Sequence, residues 1–177
     1  MYLKKLNRQD NKELDFVKNL YLDSFPESER RETDALFDLH SSKDNAFVIQ
    51  IVIKDDKYVG FLTYWNFGDF VYAEHFAISP EFRNGGFGGK VMELFMELIT
   101  QPIVLEVELP NTILSERRIG FYQRLEFKLW EDIPYQQPPY SRDGNPVPMK
   151  LMTHGDIDLN KDLQKVKDDI YREVYNY

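Results

Sequence analysis

The octapeptide Arg83-Asn84-Gly85-Gly86-Phe87-Gly88-Gly89-Lys90 decides the fold reading, because it sits between a strand-like run, FVYAEHFAI at 70–78, and a helix-like run, KVMELFMELI at 90–99. A strand, a glycine turn and a helix in succession leave free backbone N–H groups and the positive end of the helix macrodipole facing outward, an arrangement that binds phosphate. A side chain at Gly86 or Gly88 would hold the backbone away from an anion, while Arg83 and Lys90 supply charge. The plain alternative is a solvated turn, but so much glycine directly ahead of a strong helix favours the anion site.

Two phosphate-binding patterns fit this loop poorly. A P-loop needs glycine where Asn84 stands and Ser or Thr where Val91 stands, so its magnesium ligand is missing. A dinucleotide fingerprint beginning at Gly86 and Gly88 puts Val91 at its third glycine; Glu106 lies at about the right distance, which keeps a nicotinamide or nucleotide binder as a weaker reading. Against it stands the order of elements upstream. AFVIQIVI at 46–53, KYVGFLTYW at 57–65 and the run at 70–78 follow one another through short turns, as in an antiparallel meander.

Outward from this centre, residues 2–6 read as a short strand. Leu14, Val17, Tyr21 and Phe25 recur at helical spacing after Asp10 or Asn11 as N-cap, and Leu36, Phe37 and Leu39 belong to a second short helix ending near Ser41. Beyond the glycine loop, IVLEVEL at 103–109 is a buried strand ended by Pro110, and a helix runs over about 113–125. FKLWEDI and VPMKLM then form a hairpin across a Pro/Tyr-rich loop. Leu163, Val166, Ile170 and Val174 give the tail an amphipathic helix that docks on the body or on a partner, which makes it a candidate dimer element.

Composition narrows the function classes. With 177 residues, 42% hydrophobic and 15% aromatic, the chain builds one well-buried domain. A net charge of -8 repels phosphate backbones and anionic lipid, so no nucleic-acid or membrane partner is expected. The chain has no cysteine, which removes disulfides, thiolate-bound metal and any thiol nucleophile, and His40, His75 and His154 lack ligand spacing, so no metal is expected. The opening MYLKKLNRQD lacks an apolar signal core and no apolar run spans a bilayer, which points to a cytoplasmic protein.

The spacing that does fit the loop is Arg-x-x-Gly-x-Gly from Arg83 to Gly88, after a strand ending Ala77-Ile78-Ser79-Pro80 and ahead of the EVELP strand and the segment RRIGFYQRLEF. In these pieces and their order, strongest over residues 74–127, the chain resembles the GNAT superfamily of acyl-CoA-dependent N-acyltransferases. The resemblance implies an α+β fold, mixed, with a mostly antiparallel central sheet flanked by helices and splayed at the glycine-loop strand. It covers roughly residues 2–152, within a domain of residues 1–155, with residues 156–177 an added C-terminal amphipathic helix packed on that domain or on a partner. Acetyl-CoA would be the acyl donor: backbone groups of Phe76, Ala77 and Ile78 would pair with the pantetheine arm. Residues Asn84, Gly85, Gly86, Phe87, Gly88 and Gly89, flanked by Arg83 and Lys90, would receive the pyrophosphate. The chain departs from the family pattern at Glu126, where glycine is common, and at Ser115 and Arg118, where Asn and Ala are frequent.

Chemistry follows from the resemblance. An aliphatic amine with a pKa near 10 costs about 4 kcal/mol to hold deprotonated at neutral pH. Glu74, on the strand lining the expected cleft, is the carboxylate placed to accept the proton directly or through water, and a solvent-facing strand residue is its plain alternative. Alternation would send His75 to the opposite face. Tyr122, which a helical pattern alone would make a core residue, matches the family position that assists the departing thiolate, and the Ile78 N–H would face the thioester oxygen. Without a cysteine or a Gly-x-Ser-x-Gly elbow, transfer would be direct, in a ternary complex. The acceptor is a small-molecule amine or a peptide or protein amine, with Phe25, Arg30, Tyr64, Trp65, Tyr135 and Tyr140 as wall candidates or as core residues. The rival class is a non-catalytic acyl-CoA-sensing module.

Overall fold

A computed structural model describes residues 1–41, 46–141 and 144–177. Helices and mostly antiparallel strands mix in an open α+β arrangement, divided into two compact units. One comprises Met1–Asn66 with Ala73–Leu98, the other Phe67–Tyr72 with Ile99–Tyr177.

The first unit is built on β1 (Tyr2–Lys5), β2 (Phe47–Lys54), β3 (Lys57–Asn66) and most of β4 (Val71–Ile78), in that spatial order. β1 and β2 are antiparallel, as are β2 and β3, whose register pairs Phe47 with Trp65 and Ile51 with Phe61. β3 is buried on both faces, and its alternation sorts its partners. Phe61 meets Tyr21 of helix α1 (Asn11–Ser24) at 6.2 Å between ring centres, while Tyr64 meets Phe95 of helix α3 (Phe87–Leu98) at 5.2 Å. A side chain at Gly60 would put its Cβ 2.4 Å from the carbonyl oxygen of Ala77, so β3 and β4 approach here as closely as only glycine allows.

Helix boundaries follow local chemistry. The Asp10 carboxylate caps α1 by accepting from the N–H groups of Lys12 and Glu13. α1 closes at Ser24, so Phe25 stands just beyond it in extended backbone, and a 3-10 turn over Glu27–Glu29 leads to α2 (Thr33–Ser41). His40 of α2 is buried: one ring nitrogen donates to the Leu6 carbonyl and the other accepts from the Ile49 N–H. That pairing fixes the neutral ring, and burial lowers its pKa.

In the second unit β5 (Ile103–Glu108) runs antiparallel to β8 (Val147–His154). The hairpin expected of FKLWEDI and VPMKLM is present as β6 (Lys128–Leu129) antiparallel to β8, and between them a further short strand, β7 (Tyr135–Gln137), also pairs antiparallel with β8. Prolines at 134 and 138 bracket β7, confine it to three residues, and hid it from a reading by periodicity. Helix α4 (Ile113–Gln123) opens on a reciprocal cap between Thr112 and Ser115, and helix α5 (Leu159–Val174) buries Leu159, Val166, Ile170 and Val174. Tyr175, just after α5, donates to Glu106 of β5 at 3.0 Å and meets the Tyr72 hydroxyl at 3.1 Å, so the apolar face of α5 is seated within its own unit. Glu126 sits at φ +66°, a left-handed position that closes α4 where glycine would be unstrained.

Candidate active site

β4 ends at Ile78, and the Ser79 N–H makes the last rung to the Val59 carbonyl before a 3-10 turn over Pro80–Phe82. Arg83 folds back so that its Nε donates to the Ile78 carbonyl at 2.8 Å. Asn84 (φ +63°) and Gly86 (φ +74°) take left-handed backbone, reversing the chain into α3. α3 begins at Phe87, three residues before the apolar pattern suggests, so Gly88 and Gly89 form its first turn. Within an α-helix the first N–H groups have no intrahelical acceptor; here the Lys90 N–H makes the first bond, to Gly86. No acidic residue occupies that turn.

A Cβ added at Gly86 or Gly89 would meet nothing within 4 Å. Protein packing therefore does not demand glycine at Gly89, and the bare backbone leaves open ground in front of the positive end of the helix. Phe82 and Phe87 pack edge to face at 5.7 Å on either side of the turn. Lys90 and Asn84 are exposed, and Ala77 is buried with its carbonyl against Gly60.

Glu74, four residues before the end of β4, has a fully buried side chain (0% exposed) whose carboxylate lies 2.6 Å from Nη1 of Arg31 and accepts from Nε1 of Trp65 at 3.0 Å. Alternation would part Glu74 from His75, but His75 Nδ1 lies 3.6 Å from the Glu74 carboxylate. Thr63 explains the departure: its hydroxyl oxygen accepts from the His75 N–H at 3.1 Å and lies 3.4 Å from Nδ1, drawing the imidazole toward the side on which Trp65 reaches Glu74. His75 Nε2 donates to the Glu29 carbonyl, and its ring stands edge-on to Tyr21 and Phe25. Burial alone would raise the Glu74 pKa; the Arg31 guanidinium, His75 and the Trp65 N–H outweigh it and bring the carboxyl down to about 2.

Tyr122, on α4 in the second unit, packs against Phe121 and Phe127. Desolvation pushes its hydroxyl up to about 12, with Glu108 adding to the rise and Arg118 opposing it. Those two residues form an ion pair with each other, so Arg118, at a departure from the family pattern, is anchored to β5.

The loop residues 83–90, the strand end 76–78 and Glu74 thus belong to the first unit, and Tyr122 to the second. Arg31, Thr63 and Glu29 escaped the sequence reading: Arg31 is 43 residues from Glu74, and no local spacing links them. Of the wall candidates, Phe25 packs on His75, Tyr64 on Phe95 and Tyr140 on Tyr175, while Trp65 and Tyr135 spend their polar atoms on Glu74 and Glu106. Arg30 donates to the Phe25 carbonyl. Among the described residues no group of three His, Asp or Glu is placed to hold a metal ion, and no helix is long and apolar enough to cross a membrane.

The acetyltransferase (GNAT) family profile matches residues 14–127. A solved structure from Bacteroides thetaiotaomicron, provisionally classed as a GNAT-family acetyltransferase, superposes with a TM-score of 0.95 at 39% identity, covering 100% of this chain and 99% of that one. YjbC of Bacillus subtilis (strain 168), provisionally classed as an acetyltransferase, is 31% identical over 86 residues, which are 48% of this chain and 44% of that protein's length. Arabidopsis thaliana Naa50, solved with the bisubstrate analogue CoA-Ac-MVNAL, shares the fold with a TM-score of 0.61 at 17% identity, covering 88% of this chain and 100% of that one. The glycine turn at the head of α3 and the strand before it therefore sit inside the matched segment, and the chain belongs to the GNAT acetyltransferase family.

Proposed function

We propose that the protein is an acetyl-CoA-dependent N-acetyltransferase that moves the acetyl group directly to a primary amine of a small molecule, peptide or protein in a ternary complex. The observation that carries this reading is the head of α3, where glycines with open space around them precede uncommitted N–H groups and no carboxylate stands in the first turn. Residues 84–89 would take the pyrophosphate there, with Arg83 and Lys90 at its flanks, and the backbone of Phe76, Ala77 and Ile78 would run beside the pantetheine arm. A chain without cysteine suits a reducing, cytoplasmic setting, which we include in the proposal.

In the reaction the amine nitrogen attacks the thioester carbonyl carbon, charge gathers on the carbonyl oxygen toward the Ile78 N–H, and the C–S bond breaks. A thiol has a pKa of about 8.5, well below that of the Tyr122 hydroxyl at about 12, so Tyr122 serves the departing sulfur by donating a hydrogen bond rather than by giving up its proton outright. Glu74 at about 2 is a weak proton acceptor. Its role in the proposal is therefore the through-water one: the carboxylate orients a water that carries the amine proton away.

The test is release of CoA thiol over a panel of primary amines. Turnover lost in Tyr122→Phe and Glu74→Gln supports the reading, and full activity in both on a working substrate overturns the assigned roles. One observation favours the sensing module: the Glu74 carboxylate is already committed to Arg31 and Trp65. Acetyl-CoA binding without thiol release from any amine would decide for that reading.

A further inference from the structure

Residues 134–138 and 146–150 form, with α5, a cavity of about 630 Å³ within the second unit. Its size lies in the range of small-molecule sites. Tyr135, Tyr171 and Tyr177 contribute rings, and Pro134, Pro138, Pro146 and Pro148 contribute rigid apolar walls. Two of the rings are fixed before any ligand arrives: the Tyr135 hydroxyl donates to Glu106, the Tyr171 hydroxyl donates to the Gln136 carbonyl, and the rings stand at 62° with centres 6.0 Å apart. With both hydroxyls spent on protein acceptors, what these tyrosines offer a ligand is aromatic surface.

The charges of the lining have one sign. Lys150 and Lys167 face the cavity, and among the described residues no Asp or Glu side chain lines it. Among the described residues neither lysine has a carboxylate within ion-pair distance, a state they share with Lys5, Lys12, Lys18, Lys57, Lys90 and Lys128; what sets these two apart is that both face one cavity. The Lys150 ammonium donates to the Glu131 carbonyl and keeps two further donors, and the Lys167 ammonium stands 5.0 Å from the centre of the Tyr171 ring. In a protein of net charge -8, two cations thus stand beside a pre-arranged aromatic wall with no carboxylate partner among the described residues.

We propose that this cavity binds a planar aromatic anion, a small aromatic carboxylate being the simplest member of the class, whose ring lies among the tyrosines and prolines and whose charge meets Lys150 and Lys167. The site is separate in its residues from the acyl-donor loop, and the proposal does not rest on acetyl transfer.

Calorimetric titration of the whole protein with 2-naphthoate, without acyl-CoA, tests it. The neutral isostere 2-naphthamide and the cation 2-naphthylmethylamine serve as controls. The expected result is saturable one-to-one binding of naphthoate with a dissociation constant below about 1 mM, at least about tenfold tighter than either control, and weakened about tenfold or more in Lys150→Met/Lys167→Met. Both lysines are half-exposed, and a thermal melt confirms that the variant is folded. No saturable binding, equal binding of the amide, or unchanged affinity in the folded double variant would overturn the proposal.

Discussion

Replacing Arg31 with methionine removes the guanidinium that faces Glu74 while keeping much of the stem's apolar volume beside Phe47 and Trp65, whose ring centres lie 5.9 and 5.8 Å from the Arg31 Cζ. In the native protein the Glu74 pKa falls from 4.5 to about 2, which at about 1.36 kcal/mol per pH unit is worth about 3 kcal/mol of stability at neutral pH. Because the folded value is the depressed one, this contribution is complete above 4.5 and is lost as the pH falls toward about 2. Without Arg31, burial presses the carboxyl upward with its strongest counter-charge gone, so an ionised Glu74 becomes a cost that protonation relieves. Arg31→Met should therefore lose about 3–5 kcal/mol at neutral pH. The gap to the native protein should narrow toward about pH 3, and Arg31→Met/Glu74→Gln should recover about half or more of the loss. Urea unfolding of the native protein, Arg31→Met, Glu74→Gln and the double variant at neutral pH and about pH 3 supplies the numbers. A loss independent of pH, or a double variant as unstable as Arg31→Met alone, would refute the account of this pair.

The remaining expectations concern single positions. Tyr122→Phe should lower kcat by about a hundredfold with little change in KM for acetyl-CoA, since only the hydrogen bond to the departing sulfur is lost; an unchanged kcat on an accepted amine removes Tyr122 from the reaction. Glu126→Gly should stabilise the protein by about 0.5–1 kcal/mol in chemical denaturation, because the residue holds φ +66° without the freedom of glycine, and a loss of stability would show that its side chain has another task. Gly60→Ala should cost about 1–3 kcal/mol, since its Cβ would lie 2.4 Å from the Ala77 carbonyl oxygen and β3 or β4 must yield; a neutral effect in the same assay would mean that the approach is softer than described.

Much of the framework was legible because it is local. Asp10 announces α1 by its side-chain chemistry, and the apolar runs of β2 and β3 read as strands because both faces are covered. The glycine turn was legible as a turn but not in its limits. Gly88 and Gly89 have low helix propensity, yet they make the first turn of α3, whose buried Val91, Met92 and Phe95 carry the packing that holds it. β7 was invisible because three residues between prolines carry no usable period, and pairing with β8 supplies what the local sequence lacks. At the site, Glu74 and Tyr122 were found through resemblance, but their settings were not. The Arg31 ion pair, the Trp65 donor and the Thr63 bonds that bring His75 beside Glu74 are long-range matches between side chains, and each changes what the carboxylate can do. The sequence reading offered Glu74 as proton acceptor, directly or through water, without sight of these partners.

The central claim, an acyl-CoA site at the head of α3, is met most directly by calorimetric titration with acetyl-CoA of the native protein and of Gly89→Leu, a change whose Cβ meets no protein atom within 4 Å and adds a helix-forming residue. The account predicts micromolar binding to the native protein and strongly weakened binding to a variant that is folded at least as stably. A folded, CoA-free native protein that does not bind, or a variant that binds acetyl-CoA as tightly as the native protein, would contradict it.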